Sequence, residues 1–192
     1  MLFQTKRIIL RKMTAQDIEI YHKWRNDIEV MQTTAPMLDV YRIEETEEFV
    51  NQIILGSCSS KCYMIIEKQS KKPIGITSLI NIDPKNRNAE CIIDIGEKEA
   101  WGKGYGSEAM KLLLDYGFLE MNLHRISLRV FSFNSRAIKL YEKLGFQQEG
   151  RSREAIFRDG TWHDIIHMGV LQSNYIEQMR EKQNDSTEEQ IS

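Results

Sequence analysis

The sequence predicts one α/β (α+β) domain, built on a mixed sheet with helices on both faces. Two observations lead to this prediction. The chain has 192 residues, of which 41% are hydrophobic and 28% charged, and these values suit a single globular domain with a substantial core. Its apolar pattern alternates between strand and helix periods in the order β-α-α-β-β-β-α-β-α-β-β, and such alternation is typical of a layered architecture.

The first half of the chain is predicted to hold one strand, two helices and then three strands. A strand over residues 7–11 leads into a helix that Thr14 caps, with Asp17 favourable in its first turn. Residues 26–42 are predicted to be irregular, and a second helix covers residues 43–55. The strands that follow form a meander over residues 62–66, 73–80 and 89–95.

The second half is predicted to begin with a strongly amphipathic helix that follows a glycine-rich loop. The predicted elements are a helix over 107–119, a strand over 124–131, a helix over 135–144 and a hairpin from Phe146 that turns at Arg158-Asp159-Gly160. We predict a single domain over residues 1–175 and a polar tail over residues 176–192. From Glu181 onward the tail is expected to be frayed, or helical only by chance.

Charge and composition exclude several classes of partner. Lys and Arg (26) nearly balance Asp and Glu (28), whereas a nucleic-acid partner calls for a basic excess or stripe. No apolar run approaches the ~18 residues of a membrane span, and the N-terminus lacks the apolar stretch of a signal peptide. We therefore predict a cytoplasmic protein without nucleic-acid or membrane partners. Cys58, Cys62 and Cys91 have no further Cys or His pair to complete a metal site, so free thiols are predicted.

A loop with three alternating glycines lies between a predicted strand and a predicted helix. Such glycines permit positive φ and leave backbone N–H groups uncovered, and the following helix adds the positive end of its dipole. Together these features form an anion site fitted to a pyrophosphate. The pattern differs from the dinucleotide-binding Gly-x-Gly-x-x-Gly and from a P-loop. The loop reads Ala100-Trp101-Gly102-Lys103-Gly104-Tyr105-Gly106-Ser107.

This loop resembles the pyrophosphate loop of the GNAT superfamily of N-acetyltransferases. The family pattern is Gln/Arg-x-x-Gly-x-Gly/Ala, and Trp101 stands at the Gln/Arg position, which is a departure. A second block, from Asn134 to Phe146, is similar to the family segment Asn-x-x-Ala-x-x-x-Tyr-x-x-x-Gly-Phe. The resemblance covers Leu10 to Tyr175 and is nearest to the subgroups that acetylate ribosomal-protein N-termini or spermidine.

The resemblance implies a mostly antiparallel, twisted sheet with a central split, and acetyl-CoA as co-substrate without a metal. It also implies a homo-oligomer, either a dimer or a larger assembly. A split strand would offer its backbone to the pantetheine arm, as a peptide-like ligand pairs with a sheet edge. The implied cofactor-binding residues are Ile93, Asp94, Ile95, Gly102, Lys103, Gly104, Tyr105, Gly106, Ser107, Asn134 and Lys143.

Acetyl transfer to an amine requires a base for the nitrogen and an acid for the departing sulfur. Tyr141 matches the family tyrosine and is the predicted acid, because a phenol stays protonated at pH 7; a core tyrosine is the competing interpretation. Glu90 resembles the glutamate that relatives use as base, often through water, and a solvated strand-end carboxylate is an equal alternative. The Asp94 side chain could face the amine, but a surface charge is favoured. Asn134 is predicted to bond the cofactor arm, with helix capping as its competing role.

The acceptor is predicted to be a polyamine, ahead of a protein N-terminus and an amino sugar. Residues 168–175 are similar to the ending of bacterial spermidine acetyltransferases, and acidic pairs at 44–45 and 47–48 suit a polycation. Against this, residues 33–36 lack the acidic side chains expected where polyamine enzymes bind their effector. The alternative from another class is a sensor that binds acyl-CoA without turnover.

Overall fold

One mixed sheet of seven strands organises the part of the chain that the structure describes. This computed structural model describes the backbone of residues 2–188 and the side chains of residues 2–181. The strand order is β1-β2-β3-β4-β5-β7-β6, and only β4 and β5 pair in parallel. The strands are β1 Ile8–Lys12, β2 Lys61–Glu67, β3 Pro73–Asp83, β4 Asn88–Asp94, β5 Arg125–Phe131, β6 Gln147–Arg158 and β7 Thr161–Leu171.

Helices cover both faces of this sheet. Two of them are extended by a π-helical segment, Val50–Leu55 after the third helix and Tyr116–Glu120 after the fourth. The helices are α1 Ile18–Arg25, α2 Ile28–Met31, α3 Ile43–Phe49, α4 Tyr105–Asp115, α5 Ser135–Lys143 and α6 Gln172–Glu188. None of the helices within residues 2–188 has the length and apolar character that crossing a membrane requires.

The sheet separates two apolar clusters, one on each face. The larger contains residues of α4 such as Met110 and Leu113, with Cys91 of β4 and Tyr141 of α5. The smaller joins α1 to β2 and β3 through residues that include Trp24, Met64 and Ile76. Side chains alternate along a strand, so Cys91 and Ile93 face α4, while Glu90, Ile92 and Asp94 face α1 and α2. The pairing of Asp94 with Ile76 agrees with this assignment.

The parallel pair β4–β5 is short. Only Asn88, Ala89 and Glu90 of β4 pair with β5, opposite Arg125, Ile126 and Ser127. β4 remains paired with β3 as far as Asp94. Beyond Glu90 the two strands therefore diverge, and the edge of β4 that faces β5 is left without a strand partner. This is the central split that the sequence resemblance implied, and the mixed, mostly antiparallel fold is confirmed.

The predicted strands and longer helices are present, with small shifts at their ends. The prediction that residues 26–42 are wholly irregular is wrong, because they contain the short helix α2. Asp27 caps this helix by accepting backbone N–H bonds from Glu29 (3.0 Å) and Val30 (3.4 Å). The helix α4 begins at Tyr105, two residues before the predicted start.

The chain stays helical beyond the point where its apolar pattern fades. Helix α6 extends to Glu188, and near its start Tyr175 is buried against Phe118, with ring centroids 5.1 Å apart. The expected fraying of residues 189–192 lies outside the described residues. The division into a domain over 1–175 and a tail over 176–192 stays a prediction.

Candidate active site

A cavity of about 880 Å³ opens at the split between β4 and β5. Its walls come from β4, the glycine-rich loop, the start of α4, β5, α5 and the segment after α2. Of the residues predicted from the sequence, Lys103 is the one that does not line this cavity. Those that do are Glu90, Ile93, Asp94, Ile95, Gly102, Gly104, Tyr105, Gly106, Ser107, Asn134, Tyr141 and Lys143.

The glycine-rich loop has the conformation that an anion site needs. Gly102 (φ 76°) and Gly104 (φ 84°) adopt left-handed backbone, and Gly104 caps the N-terminus of α4. Both glycines are exposed, as are Lys103 and Ser107. The N–H groups of the first turn of α4 have no partner within the helix, and the helix dipole favours an anion there. The loop, the free edge of β4 and the cavity together fit a long ligand with a diphosphate at one end.

The side chain of Tyr105 is bonded within the protein. Its side chain is buried, at 8% exposure, and its hydroxyl donates a hydrogen bond to Glu67. That bond is the main cause that raises the pKa of Tyr105. The Tyr105 side chain thus anchors the loop to β2.

Arg7 fixes the loop from the other end of the chain, and sequence reasoning missed it. Its Nη1 donates to the carbonyl oxygen of Lys103 at 2.9 Å, and its Nε donates to Glu108 at 2.6 Å. The guanidinium also lies 4.7 Å from the centre of the Tyr105 ring. Arg7 and Lys103 are 96 residues apart, so no local pattern could have connected them.

Trp101, the departure from the family pattern, has a structural role. Its indole nitrogen donates to the carbonyl oxygen of Ile95 at 2.7 Å, and its ring packs against the smaller apolar cluster. The Ile95 carbonyl is therefore already bonded within the protein. A backbone contribution from Ile93, Asp94 and Ile95 to the pantetheine arm stays a prediction.

Tyr141 reaches the cavity from α5 on the α4 face of the sheet. It is 9% exposed and packs edge-on against Phe146, with ring centroids 5.8 Å apart. Burial is the main cause that raises its pKa, and interactions with the nearby Cys91 and Asp94 side chains add to it. The phenol is therefore protonated at neutral pH, as a proton donor to sulfur must be.

Glu90 is the last residue of β4 that pairs with β5, and each of its two carboxylate oxygens has a hydrogen-bond partner. Arg129 Nε donates to its Oε1 at 2.8 Å, and Asn81 Nδ2 approaches Oε2 at 3.5 Å. Its side chain is 17% exposed. The carboxylate is thus an ion-paired group at the cavity wall. This pairing weakens its case as a base, although the role stays a prediction.

The sequence analysis favoured a surface position for the Asp94 side chain, and the structure shows that this prediction is wrong. Its Oδ1 is buried and has no hydrogen-bond partner among the described residues. Burial raises the pKa of Asp94 to about 6, and the nearby Thr34 hydroxyl offsets this in part. Neither Asp94 Oδ1 nor Thr34 Oγ1 makes a well-aligned hydrogen bond within the described chain. The cause is the fold: α1 and the segment after α2 cover this face of β4.

Asn134 caps α5, which was its competing role. Its Oδ1 accepts from the backbone N–H of Ala137 at 3.1 Å, and its Nδ2 donates to the carbonyl oxygen of Thr33 at 3.4 Å. The second bond links α5 to the segment after α2 across the cavity. Contact of Asn134 with a cofactor stays a prediction, as does that of Lys143, which is exposed at the rim.

The described side chains contain no group of three or more His, Cys, Asp or Glu that could hold a metal ion. Cys58, Cys62 and Cys91 are free thiols. Burial raises the pKa of both Cys62 and Cys91. These two thiols are therefore neutral at physiological pH.

Comparison with known proteins agrees with the geometry of the site. Residues 7–147 match the family model described as Acetyltransferase (GNAT) domain. The spermidine N(1)-acetyltransferase of Vibrio cholerae is 33% identical over 171 residues, which are 88% of this chain and 96% of that protein.

Two solved structures extend this similarity to the fold. The crystal structure of spermidine N-acetyltransferase from Vibrio cholerae in complex with CoA and spermine superposes with a TM-score of 0.81 at 32% identity, covering 90% of this chain and 99% of that one. A dodecameric structure of the Vibrio cholerae enzyme in an intermediate state gives a TM-score of 0.77 at 31% identity, covering 91% and 99%.

Proposed function

The chain belongs to the GNAT acetyltransferase family and is an acetyl-CoA-dependent N-acetyltransferase, and we propose that its acceptor is a polyamine such as spermidine or spermine. The observation that carries this proposal is the similarity, over nine-tenths of the chain, to an acetyltransferase solved with CoA and spermine. The cavity supports it independently, because Asp94, on the face of β4 that looks toward α1 and α2, has a buried carboxylate oxygen without a hydrogen-bond partner among the described residues. Carboxylates in a cavity favour a cationic ligand over a neutral one.

Acetyl-CoA supplies an activated thioester, and the protein must orient it and manage two protons. We assign the diphosphate to the backbone N–H groups at the start of α4. Arg136, Lys139 and Lys143 of α5 also line the cavity and add positive charge to its wall. Such donors are fixed before the ligand arrives, so binding costs little reorganisation.

Tyr141 is the proposed acid. A buried phenol with a raised pKa holds its proton until the sulfur departs with negative charge. Glu90 is the base that the sequence predicts. To act as one, its carboxylate would have to accept the proton of the amine while it is paired with Arg129.

The experiment is an acetyl-CoA consumption screen with the full chain. The acceptors are spermidine, spermine, peptides with free N-termini and amino sugars. We expect polyamines to give the highest kcat/KM. Turnover confined to peptides or to amino sugars would refute the polyamine proposal, and tight acetyl-CoA binding without turnover of any amine would indicate the sensor.

We also propose that the chain forms a homo-oligomer. The support is that a Vibrio cholerae relative, 31% identical over 91% of this chain, is dodecameric. Light scattering after gel filtration, with and without spermidine, tests this proposal. A monomer under both conditions would contradict it. The cytoplasmic location stays a prediction from the sequence.

A further inference from the structure

Two buried polar atoms in the cavity have no partner in the described part of the chain. These are Asp94 Oδ1, on β4, and Thr34 Oγ1, on the segment after α2. Most buried polar atoms in native proteins are hydrogen-bonded, so an unpaired one requires an explanation. The Thr34 hydroxyl lies close enough to lower the Asp94 pKa, and both oxygens can still accept hydrogen bonds from a ligand with several N–H donors.

The groups around Asp94 do not neutralise it. Tyr21 of α1, Cys62 of β2 and Tyr141 of α5 each lie close enough for the Asp94 charge to raise their pKa. Burial is the largest cause of each shift, and all three are neutral at physiological pH. Glu90, on the same face of β4, is held by Arg129. Asp94 therefore presents a negative charge that forms no ion pair with a Lys, Arg or His among residues 2–181.

We propose that Asp94 binds the ammonium of the acceptor and takes the proton from its nitrogen before attack, with Thr34 as a second acceptor of its N–H bonds. An alkylammonium has three N–H donors, enough for Asp94, Thr34 and one water. This inference rests on the proposed acetyl transfer and names the residue that recognises the amine.

The step is balanced in protons and bonds. Asp94 accepts one proton from the ammonium, which leaves a neutral amine with a free electron pair. The nitrogen forms the new bond to the acetyl carbon as the carbon–sulfur bond breaks. Tyr141 donates its proton to the sulfur and regains one from the nitrogen, directly or through water. Asp94 then releases its proton to solvent, so that each turnover gives one amide, one thiol and one proton.

The two proposed groups lie on opposite faces of the split. Tyr141 belongs to the apolar cluster on the α4 face, whereas Asp94 is paired with Ile76 of the cluster on the α1 face. The amine would therefore approach from the side of α1 and α2. Because its anchor is a buried anion, the site should select protonated aliphatic amines over aromatic amines, which are neutral at the same pH.

The test compares Asp94→Asn with Glu90→Gln, the rival base, and uses whichever amine the wild type acetylates best. We expect D94N to lower kcat/KM about 100-fold or more, the usual scale for loss of a general base. In calorimetry with the CoA-bound enzyme, D94N should weaken binding of that amine while acetyl-CoA affinity stays within about twofold. E90Q should lose less than D94N in both measurements. Either a D94N variant with wild-type kcat/KM and amine affinity, or a larger loss in E90Q, overturns the proposal.

Thr34→Val provides a second variant if D94N does not fold. It keeps the shape of the side chain and removes one acceptor, so it should weaken amine binding by about threefold to tenfold, and unchanged affinity would count against the site. If the polyamine proposal is wrong, the acceptor screen will show that the wild-type enzyme acetylates a different amine. Asp94 is then tested with that amine in the same way.

Discussion

The indole nitrogen of Trp101 and the carbonyl oxygen of Ile95 are joined by a hydrogen bond of 2.7 Å. This bond ties the glycine-rich loop to the chain just after β4, so the anion site and the free strand edge are held as one unit. Because the loop is already ordered, its ordering does not subtract from the free energy of ligand binding. The contact therefore gives Trp101 a structural role at the position where the family pattern has Gln or Arg.

Trp101→Phe should weaken acetyl-CoA binding by roughly fivefold. The change keeps most of the ring but removes the N–H, and one neutral hydrogen bond contributes about 1 kcal/mol. Calorimetric titration with CoA measures the effect. Trp162→Phe is the matched control, because Trp162 is 58% exposed at the β6–β7 hairpin, and equal losses in the two variants would contradict the assigned role.

Gly104→Ala should reduce acetyl-CoA affinity by about tenfold or more. Alanine at φ 84° is strained by about 1 kcal/mol, and its Cβ would lie 3.3 Å from Arg7 Nη2. Gly160→Ala introduces similar strain at φ 77° with no atom within 4 Å, in a turn outside the cavity. Both variants should lose similar stability, and only G104A should lose affinity for CoA.

Tyr141→Phe should lower kcat by about 10²–10⁴-fold with little change in the affinity for acetyl-CoA. Only the proton donor is lost, and the ring still packs against Phe146. Tyr175→Phe is the control for stability, because the Tyr175 hydroxyl donates to Asp115 at 2.8 Å. Asp115 ends α4, whereas the cavity is lined by residues at the start of that helix. Y175F should lose about 1 kcal/mol of stability and keep kcat. A Y141F enzyme with full kcat would remove the acid assignment.

Asp94→Asn should stabilise the protein at about pH 8 and leave its stability unchanged at about pH 4. The folded-state pKa is about 6 against an unfolded value of 3.8, so the folded state binds more protons between these values. Wild-type stability therefore falls, relative to D94N, as pH rises through this window, by up to about 3 kcal/mol. Urea unfolding of both proteins at the two pH values measures the difference. A D94N variant that is less stable at pH 8 would mean that Asp94 is not an unpaired buried charge.

The sequence predicted the parts of the molecule that depend on local pattern. Apolar periodicity located the strands and long helices, and the alternating glycines located the loop, because positive φ at Gly102 and Gly104 is a local requirement. The side of β4 on which Asp94 lies could not be predicted in this way. The run Ile92-Ile93-Asp94-Ile95 is apolar on both sides of the carboxylate, and only the tertiary cover by α1 reveals that it is buried.

Long-range contacts account for the other omissions. Arg7 reaches the loop only because β1 pairs with β2 and α4 packs on the sheet, an arrangement that no short motif encodes. The helix α2 is a single turn, too short for a helical period to be recognised. The ion pair between Glu90 and Arg129 depends on two strands that meet in parallel 39 residues apart.

Because β4 and β5 pair over so few residues, the two halves of the sheet are joined by few backbone hydrogen bonds. Three residue pairs form the whole ladder between one half, β1–β4, and the other, β5–β7. A long ligand lying between β4 and β5 would contact both strands where they no longer pair, and so would join the two halves of the sheet. Loading with the thioester should therefore slow amide hydrogen exchange in both half-sheets, including strands that the ligand never touches.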